Sequence, residues 1–162
     1  MKRKSCALDS VDLQILSIMQ ADCRTTLSRL SEKIALSETP CWRRLKRLEE
    51  EGYIKRYQAV LNKQVLGFDI TAFIQLSMDS HTAESTRALE QRLTPCPEVV
   101  ALYNVTGDFD FMIHIVCPNM EAYSRFVEVT LRSLGSVRQI KTAVSLREIC
   151  ANNVLPLSAI SA

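Results

Sequence analysis

The sequence lacks any apolar run approaching the ~20 residues that a membrane-spanning helix needs. Its N-terminus is basic, but no apolar segment follows, so we expect no signal peptide and a cytoplasmic location. The six cysteines are scattered and include no Cys-x-x-Cys pair, which is the pattern of neither a zinc site nor a disulfide framework. We therefore expect reduced cysteines, no metal site and no cofactor.

Charge is unevenly distributed along a chain of otherwise ordinary composition, with 47% hydrophobic and 23% charged residues. Residues 1–60 contain 12 Lys and Arg against 8 Asp and Glu, whereas residues 61–162 contain 8 against 10. A basic first part joined to a mildly acidic second part favours a nucleic-acid-binding module followed by a module of another kind.

Apolar residues at helical spacing predict three short helices in the first part. The first starts at Asp9 or Ser10 and the second is capped by Thr25 or Thr26, because these side chains are good N-caps. A tight turn at Leu36 leads into the third helix, which ends at Gly52. Three helices with a short turn before the third are the helix-turn-helix plan.

The third helix has an apolar side, on which Cys41, Leu45 and Leu48 recur at helical spacing. Four cations lie within residues 43–47, and we expect them on the opposite side, facing DNA. For a lone helix, a solvated basic face balanced by the glutamates of 49–51 would be the simpler interpretation; the two preceding helices favour DNA. The predicted base contacts are Glu38, Thr39, Trp42 and Arg43, and the predicted phosphate contacts are Arg44, Lys46 and Arg47, with Thr26, Ser37, Lys55 and Arg56 completing the DNA-binding set.

Trp42 has three interpretations: packing against the first helix, which we place first, stacking in the groove, or contact with a thymine methyl. The β-branched and aromatic residues of 53–61 predict a strand, in which Lys55 and Arg56 form a short wing. Residues 62–67 are the expected linker, which is too short and too apolar to be a flexible one. The expected domains are therefore 1–61 and 68–150, followed by a tail, 151–162, whose apolar residues we expect to pack, on a partner subunit or elsewhere.

From Phe68 onward the spacing alternates, which is typical of a strand with one buried face. The elements that follow give the order βαββαβ, an α+β fold of the ferredoxin-like type with an antiparallel sheet and helices on one face. The expected strands are 68–78, 99–105, 109–116 and 137–149, and the expected helices are 82–92 and 119–134.

The turn between the second and third strands reads Thr106-Gly107-Asp108-Phe109-Asp110. By itself this motif is a hairpin turn. It also suits a free amino acid, because the Gly107 N–H can approach a carboxylate while Asp108 or Asp110 receives an ammonium group. An enzyme is a further hypothesis, since Asp108, Asp110 and His114 could bind a metal or serve acid–base chemistry, but no nucleophile or second cluster accompanies them.

Three groups of residues together form a specific family pattern. They are Leu8, Asp9, Asp12, Ile15 and Leu16 in the first helix, Leu36-Ser37-x-Thr39-Pro40-Cys41-x-x-Arg44-Leu45-x-x-Leu48-Glu49-x-x-Gly52-x-Ile54 around the third, and Gly107-Asp108-Phe109-Asp110 in the turn. With them the chain resembles the Lrp/AsnC family of bacterial and archaeal transcription regulators over residues 8–149. One departure is Ala35, where relatives often have glycine; alanine fits if this residue stays right-handed.

The resemblance implies a winged helix-turn-helix that binds palindromic promoter DNA as a dimer. It also implies a second domain that assembles dimers into tetramers, octamers or larger discs, and an amino acid that binds between dimers and shifts assembly or DNA affinity. An effector-independent, DNA-organising protein of the same fold is the alternative. The expected effector residues are Tyr103, Asn104, Thr106, Gly107, Asp108, Phe109, Asp110 and Met112, with Val144 and Ser145 contributed by a neighbouring subunit.

Overall fold

The computed structural model describes residues 8–152 and 154–160. Contacts divide these residues into two units. One contains the described residues up to Val60 and those that follow Cys150, and the other is Leu61–Cys150. Among the described residues, every helix is too short or too polar to cross a membrane.

The first unit contains three helices, as the spacing predicts. Asp9 caps the first and Thr26 caps the second. Ser37 occupies the N-cap position of the third, although its hydroxyl makes no capping bond. A single apolar core joins them, with Ile15, Leu30, Ile34, Cys41 and Leu48 among its buried residues. The helices are α1 (Ser10–Ala21), α2 (Leu27–Lys33) and α3 (Glu38–Glu50).

The turn between α2 and α3 depends on a left-handed residue that is not glycine. Ala35 has φ 55°, so the expectation that it stays right-handed is wrong. The Leu36 N–H donates to the Ser31 carbonyl at 3.0 Å, and the Ala35 N–H donates to the Glu32 carbonyl at 3.2 Å. This pair of bonds is a Schellman motif, which requires a left-handed residue just after the helix.

The segment after α3 is not the strand that its composition predicts. In the part of the chain that the structure describes, residues 55–62 form neither a helix nor a strand. Tyr53 and Ile54 instead pack against the core of the first unit, and the Tyr57 hydroxyl donates to Glu49 Oε1 at 2.6 Å. Strand-forming residues need a sheet to join, and side-chain composition alone does not supply one.

The second unit has the predicted βαββαβ order and an antiparallel sheet in the order β2-β3-β1-β4. Ile74 lies opposite Ile113 of β3 and Thr142 of β4, which fixes the register of the central strands. The strands are β1 (Ile70–Met78), β2 (Val99–Asn104), β3 (Phe111–Cys117) and β4 (Val137–Val144), and the helices are α4 (Ala83–Leu93) and α5 (Met120–Arg125).

One face of this sheet carries the core of the unit. Alternate residues of β1 and β3, such as Leu76 and Phe111, are fully buried against Leu89 and Leu93 of α4 and Leu131 beyond α5. The opposite face, which we call the open face, presents the intervening residues. Phe73, Tyr103 and other residues of this face remain exposed within the single chain.

Two elements of this unit differ from the prediction. β4 ends at Val144 instead of residue 149, because Val144 is the last residue with a paired partner on β1, Ala72. The helix expected over 119–134 is α-helical only to Arg125 and continues as a π-helix, Phe126–Leu131. A π-helical turn contains about one residue more than an α-helical turn, so the helix continues with an extra residue.

The left-handed alanine makes a prediction about stability. Ala35→Gly should raise the free energy of unfolding by about 0.5–1 kcal/mol, because glycine adopts this conformation without steric cost. Gly52→Ala is the matched control: Gly52 holds the same position after α3 with φ 79°, and no atom lies within 4 Å of an added Cβ. It should lower stability by about 1 kcal/mol. Urea unfolding measures both, and a destabilising Ala35→Gly would contradict the assigned turn.

Candidate functional site

A buried carboxylate connects α1 to α3. The Asp12 side chain is 1% exposed and accepts hydrogen bonds from Arg44 Nη1 at 2.9 Å and from Arg47 Nη2 at 2.5 Å. It also accepts the Asp9 N–H, while Asp9 Oδ1 accepts the Asp12 N–H, so the two residues form a capping box at the start of α1. A carboxylate buried this deeply is tolerated because it is paired on both oxygens.

Asp9 extends this network toward solvent. Its Oδ2 lies 2.6 Å from Arg44 Nη1. The Asp12 backbone N–H, followed by the Arg44 guanidinium, holds the pKa of Asp9 below its ordinary value. Because the folded-state pKa is lowered, the stability that Asp9 contributes is present above the unfolded pKa of about 3.8 and is lost as pH falls below it.

The cations of α3 therefore do not share one open face, and that part of the prediction is wrong. Arg44 and Arg47 are about two-thirds buried and turn toward Asp12, whereas Arg43 and Lys46 are exposed. The sequence spacing already indicates that Arg44 lies toward the apolar side of α3, because it is three residues after Cys41, the first residue of the apolar series. The predicted contact of Arg44 and Arg47 with DNA phosphate stays a prediction.

The exposed face of α3 centres on Trp42. Trp42 is 49% exposed and does not belong to the buried core of the first unit, so about half of its surface is free for the two groove interpretations. Lys46 Nζ lies 5.1 Å from the centre of the indole ring, a cation–π contact that keeps the ring in position. Residues at i, i+3, i+4 and i+7 share one side of a helix. The exposed side consists of Thr39, Trp42, Arg43 and Lys46.

The other residues predicted to contact DNA are either exposed near this face or have a structural role in the first unit. Thr26 Oγ1 accepts the Arg29 N–H and so caps α2. Ser37 and Glu38 are exposed at the start of α3, and Lys55 and Arg56 are exposed in the segment that follows it. The first unit thus offers an aromatic ring, short polar side chains and cations along one helix, which is what major-groove recognition uses.

A second candidate site lies beside the turn between β2 and β3. A shallow pocket of about 170 Å³ opens on the open face of the sheet. Asp108 supplies a negative charge and Lys141 of β4 a positive one, while the β1–β4 register places Gln75 directly opposite Lys141. The lining is completed by Ser77, Phe109 and Gln139.

The two aspartates of the turn have different surroundings. Asp110 Oδ2 accepts the Met78 N–H at 2.7 Å, its Oδ1 lies 3.3 Å from His81 Nδ1, and its backbone N–H donates to the Leu76 carbonyl. Asp110 therefore fastens the turn to the end of β1. Asp108 is exposed and lines the pocket. The sequence left these residues as equal candidates for binding an ammonium group, whereas the structure leaves only the Asp108 carboxylate facing the pocket.

The other predicted effector residues are placed as follows. Tyr103 and Met112 lie opposite each other on the open face, and Met112 is also opposite Gln75, but neither of them lines the pocket. Thr106 and Gly107 are exposed in the turn, where Gly107 has φ 127°. Asn104 donates to the Asp110 carbonyl and lines a different groove.

Val144 and Ser145 are not brought to this pocket within the chain. Val144 lies opposite Ala72, at the other end of β4 from Gln139. Their assignment to the site of a neighbouring subunit stays a prediction. The sequence analysis missed Gln75, Ser77, Gln139 and Lys141. Their only signal was polar alternation along two strands, which is also the pattern of any solvent-facing sheet surface.

A larger groove of about 410 Å³ runs between α4 and β2. Its lining is mainly apolar and includes Val99, Leu102 and Phe111, with Glu90 as its charged residue. A free amino acid carries both charges, so a site that offers both a cation and an anion suits it well. The smaller pocket offers both, whereas the larger groove offers only the negative charge of Glu90, so we take the smaller pocket as the candidate site.

The residues of the enzyme hypothesis are not gathered around one point. Asp110 is engaged with Met78 and His81, whereas His114 stacks on the Phe73 ring with centroids 4.9 Å apart. Burial, followed by the charge of Lys63, lowers the pKa of His114. Within the described residues, no three His, Cys, Asp or Glu side chains come close enough together to hold a metal ion.

Comparisons with known proteins agree with the two units. A family model described as winged helix-turn-helix DNA-binding matches residues 8–55, and one described as the Lrp/AsnC ligand binding domain matches residues 71–155. The Bkd operon transcriptional regulator of Pseudomonas aeruginosa is 35% identical over 150 residues, covering 93% of this chain and 98% of that protein.

The leucine-responsive regulatory protein of Rhizobium meliloti is 32% identical over 142 residues, covering 88% of this chain and 91% of that protein. A Neisseria meningitidis transcriptional regulator, solved as a complex with L-Met, superposes with a TM-score of 0.88 at 34% identity, covering 93% of this chain and 97% of that one. Fold and comparisons define a protein with a winged helix-turn-helix DNA-binding domain and a ligand-binding domain. The chain belongs to the Lrp/AsnC family, whose members are transcription regulators rather than enzymes.

The ion-paired carboxylate gives a direct stability test. Asp12→Asn should lower the free energy of unfolding of the first unit by ~2 kcal/mol, because both partly buried arginines lose the charge of the buried carboxylate they pair with, although Arg44 keeps its contact with Asp9. Glu32→Gln is a matched control, since it neutralises one exposed carboxylate in the same unit and should change stability by less than about 0.5 kcal/mol. Chemical denaturation with circular dichroism compares the two variants. Equal changes in the free energy of unfolding would mean that the pairing of Asp12 with the arginines does not contribute to stability.

Proposed function

We propose that this protein is a sequence-specific, DNA-binding transcription regulator whose DNA affinity or assembly is changed by an amino acid bound beside Asp108. The single observation that carries the effector part is the pocket that both Asp108 and Lys141 line. These two charges match the ammonium and carboxylate of a free amino acid. A regulator of this kind acts on chromosomal DNA, so we place it in the cytoplasm.

The DNA-binding step belongs to the exposed face of α3. Thr39, Trp42 and Arg43 occupy the N-terminal half of this helix, which meets base edges in helix-turn-helix proteins. The Trp42 ring offers apolar contact with a thymine methyl or stacking, and Lys46 reaches phosphate. Because Arg44 and Arg47 are held by Asp12, we assign them to the support of α3 and give the phosphate role to exposed cations, including Lys55 and Arg56.

In the proposed effector complex, the amino-acid carboxylate pairs with Lys141 and the ammonium group with Asp108. Gly107, in the same turn as Asp108, has no side chain to obstruct an approach to its backbone N–H. Phe109 then borders the effector's side chain. The meningococcal relative solved with L-Met and the leucine-responsive Rhizobium relative are named for amino acids, which supports this ligand class.

Self-association is the remaining part of the proposal. The open face of the sheet exposes Phe73 at 41% and Tyr103 at 57%, while the helices cover the other face. Exposed apolar rings on a sheet are typical of a protein–protein contact. We propose that a second copy covers this face, giving a dimer that assembles further into octamers or similar rings. The pocket opens on the same face, so a bound amino acid can alter that contact.

The experiment is a thermal shift of the protein against each of the twenty amino acids. A ligand at about a hundred times its dissociation constant stabilises the folded state by ~2.7 kcal/mol, which for a domain of this size is a shift of about 10 °C. One or a few related amino acids should produce this shift. Asp108→Asn should abolish it and leave promoter binding intact, because the site lies outside the helix-turn-helix.

Asp69→Asn is the control for this variant. Asp69 is exposed in the same unit and does not line the pocket, so the variant should respond like the wild-type protein. Equal loss in both variants would contradict the assigned site. DNA binding that no amino acid affects, together with no thermal shift, would replace the effector proposal by the DNA-organising alternative.

A further inference from the structure

Two aromatic rings of the open face belong to one row of residues that crosses all four strands. Phe73 of β1 lies opposite His114 of β3, and the row continues to Ala101 of β2 on one side and to Ala143 of β4 on the other. The rings of Phe73 and His114 stack, with centroids 4.9 Å apart and planes inclined by 19°. Because the flanking alanines have short side chains, a second copy that covers this face meets the two rings.

One nitrogen of the His114 ring is buried, although the residue as a whole is only half-buried. This nitrogen, Nε2, has no hydrogen-bond partner among the residues that the structure describes. In a neutral imidazole one of the two nitrogens carries no hydrogen, whereas both carry one in the charged ring. A neutral His114 can therefore leave Nε2 without a hydrogen. Protonation adds a buried N–H that has no acceptor, which is unfavourable.

The surroundings of the His114 ring also oppose its protonation. Burial, followed by the positive charge of Lys63, lowers the pKa of His114, and the negative charge of Glu148 offsets this only in part. Lys63 Nζ lies 2.6 Å from Glu148 Oε2, so these two charges largely compensate each other. Phe73 and Ala101, on the adjacent strands, carry no charge. An aromatic face attracts a cation, but the lost hydration and the unpaired N–H oppose the charged ring more strongly.

We propose that His114 makes the open face a proton-sensitive association surface, which a second copy covers only while this ring is neutral. The inference rests on the proposed function, because it requires the open face to be the contact between copies. Covering the face removes the water that still reaches the ring, and taking a charge out of water is unfavourable without a charged partner. Protonation of His114 should therefore favour separate subunits, and association should release the proton.

The lowered pKa of His114 also makes the stability of the ligand-binding unit depend on pH. Because the unfolded chain binds the proton more readily, the stability that the neutral ring contributes is present above the ordinary pKa of 6.5 and is lost as pH falls from this value through the folded-state pKa. Histidine is the only side chain whose ordinary pKa lies between about pH 5 and 8. The sequence contains two, His81 and His114, and His81 is mostly exposed, which makes it the matched control.

The first measurement asks whether the His114 ring resists protonation, using an NMR titration of the full chain with isotope-labelled histidine rings. The two histidines give two sets of ring signals, and His81→Gln assigns them by removing one set. The His114 signals should titrate below the ordinary pKa of 6.5, because the folded state disfavours the charged ring. A titration of His114 at or above this value would overturn the inference, whether or not the protein self-associates.

The second measurement is the dissociation constant of the assembly, from analytical ultracentrifugation at about pH 7.5 and about pH 5.5. For the wild-type protein and His81→Gln it should rise at least about tenfold at the lower pH, because each excluded proton changes it by up to about tenfold per pH unit. His114→Phe keeps a ring beside Phe73 and removes the titrating group, so it should associate equally at both pH values.

Two results would overturn the inference and leave self-association standing. One is a wild-type protein that associates equally at both pH values, and the other is a His114→Phe variant that dissociates in acid as the wild-type protein does. A wild-type protein that stays monomeric at both pH values would instead overturn the proposed self-association, and the inference with it.

Discussion

The pairing of the buried Asp12 carboxylate with Arg44 and Arg47 is the interaction on which the DNA-binding unit depends. Taking a carboxylate out of water costs several kcal/mol unless charged partners replace the lost hydration. Here two guanidinium groups from one helix do so, and they come from successive turns of α3. Rotation of α3 about its axis would separate them from Asp12. The ion pairs therefore fix which residues this helix presents to DNA.

The consequence is a division of labour among similar residues. Arg43 and Arg44 are neighbours in sequence, yet one is exposed and the other is engaged with two aspartates. The turn between β2 and β3 shows the same division: Asp110 secures the fold through the Met78 N–H, while Asp108 is exposed and lines the pocket. In both places the structure, rather than residue type, separates the residue that supports the fold from the residue that is exposed.

Much of the fold could be predicted from the sequence because periodicity and capping are local. The caps at Asp9 and Thr26 and the order of the sheet are confirmed. The failures are non-local. The strand predicted over 53–61 has no sheet to join, β4 stops where its pairing with β1 stops, and the conformation of Ala35 follows from the Schellman bonds at the end of α2.

The candidate sites were predictable in part for the same reason. The turn motif identified Asp108, but the opposite wall of its pocket comes from β1 and β4, which only the sheet register brings beside the turn. For Arg44 the helical spacing was the better guide, because it places this residue on the same side of α3 as Cys41 and Leu45. Its positive charge led instead to the prediction that it lies on the side that faces DNA. Polar residues on an apolar side need a buried partner, and Asp12 is that partner.

The most direct test of this division is the salt dependence of DNA binding in two variants that differ only in position, Arg43→Gln and Arg44→Gln. A phosphate contact releases counterions, so losing it lowers the slope of log affinity against log salt by about one. With Arg43 facing DNA and Arg44 held by Asp12, the slope should fall for Arg43→Gln and stay unchanged for Arg44→Gln. An equal fall in both variants would show that Arg44 binds DNA and that its pairing with Asp12 is not what sets its role.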